Sequence, residues 1–519
     1  MLLASASLSP LYVPEDWFHL SDIGDIHGCG SVASPHPNPL PPGGRPRLSP
    51  PLSRDAGEGT GAYVLAVFFS IRRDLVQRAY MRTLDPERDW KTLLSYLPAD
   101  YEQVAAEHKQ LNTQWKNAKI DSAAVLLRFF FLHVGADLAL RQTVNVMAQA
   151  GAPKLSHVRL HFRMRRAYPF LAALVAQMTA DVRGDAAPEL WGGYEMMCLD
   201  GSTVCGPAAE GIDARLHLVL RLSDLRVTHA KVTDVSEGET LRRFCWNAGQ
   251  LVILDRGYSN APGIVWAVDQ GADVLVRLNR GALPVFDDRG EAMNILSWCR
   301  ALVGHRATEQ NVDITHREGR QTRRIQGRLI GFRLPEEEAA QARRRAREET
   351  GPSITAEQLE AAEYVVLFTT VPADRLSAAR CIEAYRLRWQ VELQFKRWKS
   401  LCHLDRLPDY RDDTILSWVT AKVLLGLLLD RIGDVHVAAP SYTSRPSRAM
   451  ARQPWQLTAI LWPMIVAAIL PMHLYDTVAG LPEIVANLEA ADDDVDNRQV
   501  TVFRNRFYPT VTEGPPTNR

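Results

Sequence analysis

The sequence has few of the features that would mark a membrane, disulfide-framed or zinc protein. Seven cysteines (Cys29, Cys198, Cys205, Cys245, Cys299, Cys381 and Cys402) are spread over 519 residues, with no CxxC pair. An odd number at irregular spacing supports neither a disulfide framework nor a zinc site, so reduced thiols are the simplest reading. No basic segment precedes an apolar run at the N-terminus, so no signal peptide is expected. The longest apolar runs, Val423–Leu429 and Ala459–Leu470, are too short or broken by Pro463 to span a bilayer. Nor is there an excess of charge of either sign: Lys+Arg and Asp+Glu both number 60, so a nucleic-acid surface has to come from local clustering. With 46% hydrophobic and 23% charged residues, the chain has the composition of a globular protein with several domains.

Residues 1–60 read differently. Ser34-Pro35-His36-Pro37-Asn38-Pro39-Leu40-Pro41-Pro42-Gly43-Gly44 loses a backbone donor at every Pro and offers no core, so it reads as disordered, with the functional chain starting near Met81. Residues 71–185 read as helical, with candidates at Ser122–Val134, Asp137–Ala150 and Ser156–Ala167. The last two, joined by Gly151-Ala152-Pro153-Lys154-Leu155, suit a helix-turn-helix whose second helix carries His157, Arg159, His161, Arg163, Arg165 and Arg166. A helical bundle with a solvated basic face suits them slightly better.

Short strands begin at Met196. Met196–Leu199 ends at Asp200-Gly201-Ser202. Arg215–Leu222 and Arg226–Asp234 form a hairpin around Ser223-Asp224. Ser236-x-x-Glu239 has the form of a capping box for a helix through Trp246. Leu251–Leu254 is a continuous apolar run of buried-strand type, ending at Asp255-Arg256-Gly257-Tyr258, and Asp273–Leu278 is a further strand. Strand patterns recur at Val312–Thr315, Arg323–Leu334 and Tyr364–Val371. Between them Pro335–Thr350 is a charge-dense helix with Arg343, Arg344, Arg345 and Arg347, either a phosphate-tracking surface or a solvated face paired with Glu336–Glu338. Thr414–Leu429 and Trp455–Leu470 are apolar helices, and residues 489–519 read as a loose tail.

The stretch that organises the chain is Tyr385–Ser400, which has no Pro or Gly and a single β-branched residue, and so favours a helix. At about 100° per residue, Tyr385, Arg388, Glu392 and Lys399 share a stripe roughly 60° wide, with Lys396 beside it. Leu387, Val391, Phe395, Trp398 and Cys402 flank it on one side, and Ile382, Trp389 and Leu393 on the other. Glu383, Arg386, Gln390, Gln394 and Arg397 cover the remaining face. A charged stripe between two apolar ones suits a cleft, where a carboxylate needs a partner or a metal. A solvated helix laced with pairs such as Arg388–Glu392 is the plain alternative.

Tyr, two residues, Arg, three residues, Glu, six residues, Lys resembles the YREK signature of DDE transposases in the insertion-sequence type 4 family. Asp255-Arg256-Gly257-Tyr258 resembles that family's second motif, and the similarity runs over about residues 120–430. The order of strands and helices, with Asp200 after the first strand and Asp255 after the fourth, is that of an RNase H-like fold. The resemblance thus implies an α/β protein: an RNase H-like catalytic core with a strand-rich insertion, preceded by an all-helical N-terminal domain and followed by C-terminal helices. The expected divisions are 1–70 (Pro-rich), 71–185 (helical, DNA-end-binding), 186–279 (core, first part), 280–375 (β-rich insertion), 376–435 (core, catalytic helix) and 436–519 (C-terminal helices and tail).

For chemistry, the resemblance implies that Asp200, Asp255 and Glu392 are catalytic and bind metal. Three carboxylates favour hard ions, Mg²⁺ or Mn²⁺, in a two-metal mechanism, with no other cofactor. Water releases a 3′-hydroxyl at the transposon end; that hydroxyl attacks the opposite strand to give a hairpin; a second water opens it; and the freed 3′-hydroxyl attacks target DNA. Arg388, Lys399, Lys396 and Tyr385 are expected on DNA phosphates. A base-stacking Trp of the family falls on Tyr364 here, a departure from its pattern. The implied partners are double-stranded DNA (terminal inverted repeats and target) and a second copy of the chain in the DNA complex, and the implied location is a bacterial cytoplasm, on the nucleoid. An RNase H-like nuclease without strand transfer and a catalytically silent DNA-binding descendant are the alternatives.

Overall fold

A computed structural model describes residues 85–108, 111, 120, 122–185, 191–206, 214–302, 304–408, 410, 414–436 and 448–471. The Pro-rich segment and the tail after 471 lie outside the described residues.

Helices come first: α1 (Pro86–Leu94), α2 (Tyr101–Glu107), α3 (Ala123–Gly135), α4 (Leu140–Gln149) and α5 (His157–Gly184). Ser122 and Ser156 cap α3 and α5 by accepting bonds from Val125 and Arg159 backbone N–H groups. The expected end of α5 at Ala167 is corrected. The helix runs on through Pro169, because Phe170, Leu171, Leu174, Val175 and Met178 continue a buried stripe.

The sheet follows: β1 (Glu195–Val204), β2 (Ala214–Arg221), β3 (Arg226–Thr233), β4 (Gln250–Leu254), then α6 (Ala261–Asp269) and β5 (Asp273–Arg277). After β6 (Val285–Phe286) and α7 (Ile295–Arg300), a long hairpin of β7 (Thr308–Glu318) and β8 (Gln321–Arg333) leads through α8 (Glu336–Thr350) and α9 (Ala356–Ala362) to β9 (Tyr364–Thr369). The described strands form one mixed nine-stranded sheet in the order β3-β2-β1-β4-β5-β9-β8-β7-β6. β1, β4 and β5 run parallel, and the other pairs are antiparallel. The strands expected between residues 280 and 375 therefore extend the first five through β9.

Alternation along the central strands buries both faces of the sheet. Met196, Cys198, Leu251, Ile253 and Leu275 pack on one side with α3, α5 and the later helices. Met197, Leu199, Val252, Leu254, Val274 and Val276 pack on the other, under Ile264 and Val265 of α6. Helices over both faces of parallel strands are the usual way to cover such a sheet. The chain continues in α10 (Ala378–Arg386), α11 (Trp389–Cys402), α12 (Thr414–His436) and α13 (Arg448–Ile469).

Two expectations fail locally. No helix follows Ser236-x-x-Glu239; only a 3₁₀ turn forms at Leu241–Arg243. Glu239 does not cap a helix, and its side chain turns inward instead. The single helix expected over Tyr385–Ser400 is divided at Leu387-Arg388 into α10 and α11. Both residues keep right-handed dihedrals, but the bonding tightens to i→i+3, from Arg388 N–H to Tyr385 O at 3.0 Å and from Val391 N–H to Arg388 O at 3.1 Å.

Among the described residues no helix is long and apolar enough to cross a membrane. Cys198, Cys205, Cys245, Cys299, Cys381 and Cys402 are free thiols.

Candidate active site

Register brings the two aspartates together. Leu199 of β1 is the cross-strand partner of Leu254 of β4, so Asp200 and Asp255 leave this parallel pair side by side. Asp200 does not end its strand as expected. β1 runs on to Val204, paired over those last residues with β2 alone. The side chains of successive strand residues alternate. Leu199 points to one core, and Asp200 faces the side on which α11 crosses β1.

α11 is fixed from behind. Val391, Phe395, Trp398 and Cys402 are buried in the helical core. Gln394 Nε2 lies 2.9 Å from Asp430 Oδ2 of α12, and Arg397 Nη2 lies 2.9 Å from Asp430 Oδ1. Gln390, Gln394 and Arg397 are all buried. Asp430, 36 residues from Gln394, supplies the polar partner that lets this face go inside. At the far end His403 takes a left-handed conformation (φ 58°), and its Nδ1 lies 2.8 Å from Asp137 Oδ2.

With the helix so placed, Arg388 reaches across to the strands. Its Nη1 lies 3.2 Å from Asp200 Oδ2, and its Nη2 donates to Glu392 Oε1. The Tyr385 hydroxyl donates to Asp255 Oδ1 at 3.2 Å. Lys399 Nζ donates to the Thr203 carbonyl at 2.9 Å, near the end of β1. Asp200, Asp255, Glu392, Tyr385 and Arg388 therefore converge, and Lys399 flanks them. Lys396 is exposed on the same helix. Tyr364 is not brought there: it opens β9 opposite Arg333, with Glu360 and Glu363 as further charged neighbours.

The electrostatics divide the aspartates. Burial pushes the Asp200 carboxyl up to about 7, although Arg388 and the Gly201 N–H, 2.8 Å from Oδ1, both favour the anion. Burial also works against the Asp255 anion, but Arg388, the Arg256 N–H, Arg277 and Tyr385 together hold Asp255 below the usual carboxylate range. The Tyr385 hydroxyl is pushed up to about 12, first by burial and then by Asp255. Burial opposes the charge of Arg388, and Tyr385, Glu392, Asp255 and Asp200 outweigh it, so its pKa rises.

A buried carboxyl poised near 7 beside one arginine is short of positive charge. Three carboxylates without histidine or thiol suit hard divalent ions. The donor set thus fits Mg²⁺ or Mn²⁺. Among the described residues no three His, Cys, Asp or Glu side chains yet stand close enough to share one ion. The guanidinium of Arg388 lies between Asp200 and Glu392.

Residues 211–425 match the model of the transposase DDE domain, a span that begins after Asp200 and includes Asp255 and Glu392. The chain is 30% identical over 349 residues to the putative transposase InsL for insertion sequence element IS186A of Escherichia coli strain K12, covering 66% of this chain and 94% of that protein. It is also 30% identical over 350 residues to the transposase for insertion sequence element IS421 of Escherichia coli, with the same coverage. The chain belongs to the DDE transposases of insertion sequences. A solved piggyBac transposase synaptic complex with hairpin DNA aligns with the transposase at 9% identity and a TM-score of 0.35, over 85% of this chain and 88% of that one, too distant to support an argument.

Two residues of the transposase's site were missed in the sequence. Arg277 follows Val276, the cross-strand partner of Leu254, which sets it beside Asp255. Its signal was a basic residue just after the apolar run Val274–Val276. The other is Glu239, misread as a cap; its signal was a glycine close after each aspartate.

Proposed function

We propose that this transposase is a metal-dependent enzyme that cuts DNA at the inverted-repeat ends of its own element and joins those ends to target DNA, by cut-and-paste through a hairpin. The observation that carries this reading is the convergence of Asp200, Asp255 and Glu392 on Arg388. Two adjacent parallel strands, β1 at Asp200 and β4 just before Asp255, and a helix supply the carboxylates. The strand order β3-β2-β1-β4-β5, with α6 between β4 and β5, supports an RNase H-like core spanning 186–279 and 376–435. Residues 280–375 are then its insertion, and residues 71–185 the domain that grips the DNA end. The spacing of Tyr385, Arg388, Glu392 and Lys399 supports the YREK signature of the insertion-sequence type 4 family.

Asp200, Asp255 and Glu392 would hold two Mg²⁺ or Mn²⁺ ions, whose chemistry is to activate a nucleophile and stabilise the leaving oxygen in phosphoryl transfer. Arg388, released from the carboxylates, turns its planar guanidinium to a phosphate of the scissile strand. Tyr385 keeps its bond to Asp255 and fixes that carboxylate's orientation. Lys399, at the edge of the site, adds a point charge for the flanking phosphate. On the exposed face of α5, Val158, Arg159, Phe162, Arg165 and Arg166 form a basic surface with apolar contacts, suited to a DNA groove. The part of the expected recognition surface carried by Arg163 and His161 is withdrawn from it: Arg163 is buried, and His161 bonds Thr414 at 3.0 Å and stacks on Tyr410. Two copies of the chain would act together, one at each end, on the nucleoid of a bacterial cell.

The test is incubation of the protein and Mg²⁺ with DNA carrying its own element's ends. End-specific cleavage followed by strand transfer is expected. Cleavage without joining would favour the nuclease, and binding without cleavage the silent descendant.

A further inference from the structure

A fourth carboxylate lies beside the backbone that follows Asp200 and Asp255, and its role rests on the reading of Asp200, Asp255 and Glu392 as catalytic. Glu239 leaves the segment between β3 and β4 and is half-buried. Its Oε2 stands 2.0 Å from where a Cβ on Gly257 would lie, and its Oε1 3.2 Å from where a Cβ on Gly201 would lie. Gly201 directly follows Asp200, and Gly257 is two residues past Asp255. Neither glycine has a positive φ, so backbone conformation does not demand glycine at either place. The space taken by the Glu239 carboxylate does.

Two further polar atoms point at the same spot. The Tyr258 hydroxyl and His217 Nδ1 each lie 3.5 Å from the Gly201 Cβ position. Both residues are buried, at 0% and 1% exposure. Neither atom has a hydrogen-bond partner among the described residues. The other nitrogen of His217, Nε2, is 3.1 Å from Thr233 Oγ1, which fixes the ring. Buried polar atoms without partners are costly and rare. Here they surround a carboxylate whose neighbours include the charge of Asp255.

We propose that Glu239 is a positioning residue of the catalytic site. It is wedged against the backbone after Asp200 and after Asp255, sets the separation of these two segments, and adds a fourth negative charge that helps retain the divalent cations. The Tyr258 hydroxyl and His217 Nδ1 line the same pocket beside Gly201. Positioning residues of this kind, one step removed from the ligands, typically change metal affinity or activity by about 10- to 100-fold when removed.

The experiment is calorimetric titration of the full chain with Mn²⁺ alone, beside single-turnover cleavage across a Mn²⁺ series, end binding and thermal midpoint. Glu239→Gln keeps the shape and removes the charge. It is expected to weaken Mn²⁺ binding about tenfold or more, to shift cleavage to correspondingly higher Mn²⁺, and to leave end binding and midpoint at wild-type values. Glu239→Asp should recover part of the loss. Gly257→Ala should reproduce it, because its Cβ takes the carboxylate's place. Wild-type Mn²⁺ binding in Glu239→Gln, with Asp200→Asn impaired, would overturn the proposal alone. Wild-type Mn²⁺ binding in both would overturn it together with the reading of the site. A loss that comes only with a lowered midpoint or lost end binding would make Glu239 a structural residue and reject the proposal.

Discussion

Arg388 and Asp200 are 188 residues apart in sequence, yet Arg388 Nη1 lies 3.2 Å from Asp200 Oδ2. The same guanidinium donates to Glu392. One cation thus occupies the ground between carboxylates proposed to hold metal. On that proposal, loading the site requires this arginine to leave, which frees it for a phosphate.

It follows that Arg388→Ala should bind Mn²⁺ at least as tightly as wild type when no DNA is present, since a competing cation has gone. It should nevertheless bind element ends less tightly, with a salt slope smaller by about 0.9 for the one phosphate it no longer neutralises. Single-turnover cleavage should fall further than binding. Mn²⁺ calorimetry beside end binding in a salt series checks this. Weaker Mn²⁺ binding in the variant would mean the guanidinium supports the carboxylates instead of competing for them.

The lock behind α11 gives a stability prediction. Asp430→Ala leaves Arg397 buried without its carboxylate and Gln394 without its acceptor. Removing one partner of a buried pair costs about 3–5 kcal/mol. Denaturant titration should show a loss of that order, and a change below about 1 kcal/mol would place the pair in solvent.

Gly426 of α12 meets the ring of Trp398: an added Cβ would lie 2.7 Å from Trp398 Cε2. Gly426→Ala should therefore push α11 and Glu392 away from the strands, at a cost of about 1–3 kcal/mol. Cleavage should drop sharply while binding of element ends persists. Equal loss of both would show a global effect.

Much of this arrangement was legible in the sequence, because burial and chemistry leave periodic marks. The apolar run Leu251–Leu254 marked β4, and the aspartates at its end and after Leu199 marked the site. What was hidden depends on residues far away in the chain. Nothing in the helix-favouring run around Leu387-Arg388 signals a tightened turn; the pull of Asp200 on Arg388 and of Asp255 on Tyr385 exists only in the fold. Nothing local to Gln394 and Arg397 marks them for burial, because their partner Asp430 lies on another helix. Glu239 fitted a capping box by spacing, and tertiary packing overrode it. Tyr364 was placed by resemblance alone, and the sheet carries it to Arg333.

The Arg-rich helix α8 suits two readings in sequence, a phosphate-tracking surface and a solvated face with internal pairs. Arg343 is paired with Glu336 at 2.7 Å and Glu363 at 2.6 Å. Arg344, Arg345 and Arg347 lie towards the open end of the helix, where Glu349 is close enough to act on Arg256 beside Asp255. If α8 tracks DNA, replacing those three arginines with Ala should lower the salt slope of end binding by about 0.9 for each phosphate left without its cation. An unchanged slope would make α8 a solvated face.

The central claim, that Asp200, Asp255 and Glu392 form one catalytic centre, is tested most directly by single-turnover cleavage of DNA carrying the element's own ends, with end binding measured on the same preparations. Each of Asp200→Ala, Asp255→Ala and Glu392→Ala should abolish cleavage while end binding stays near wild type. Robust cleavage by any one of the three would contradict the claim and remove that residue from the centre.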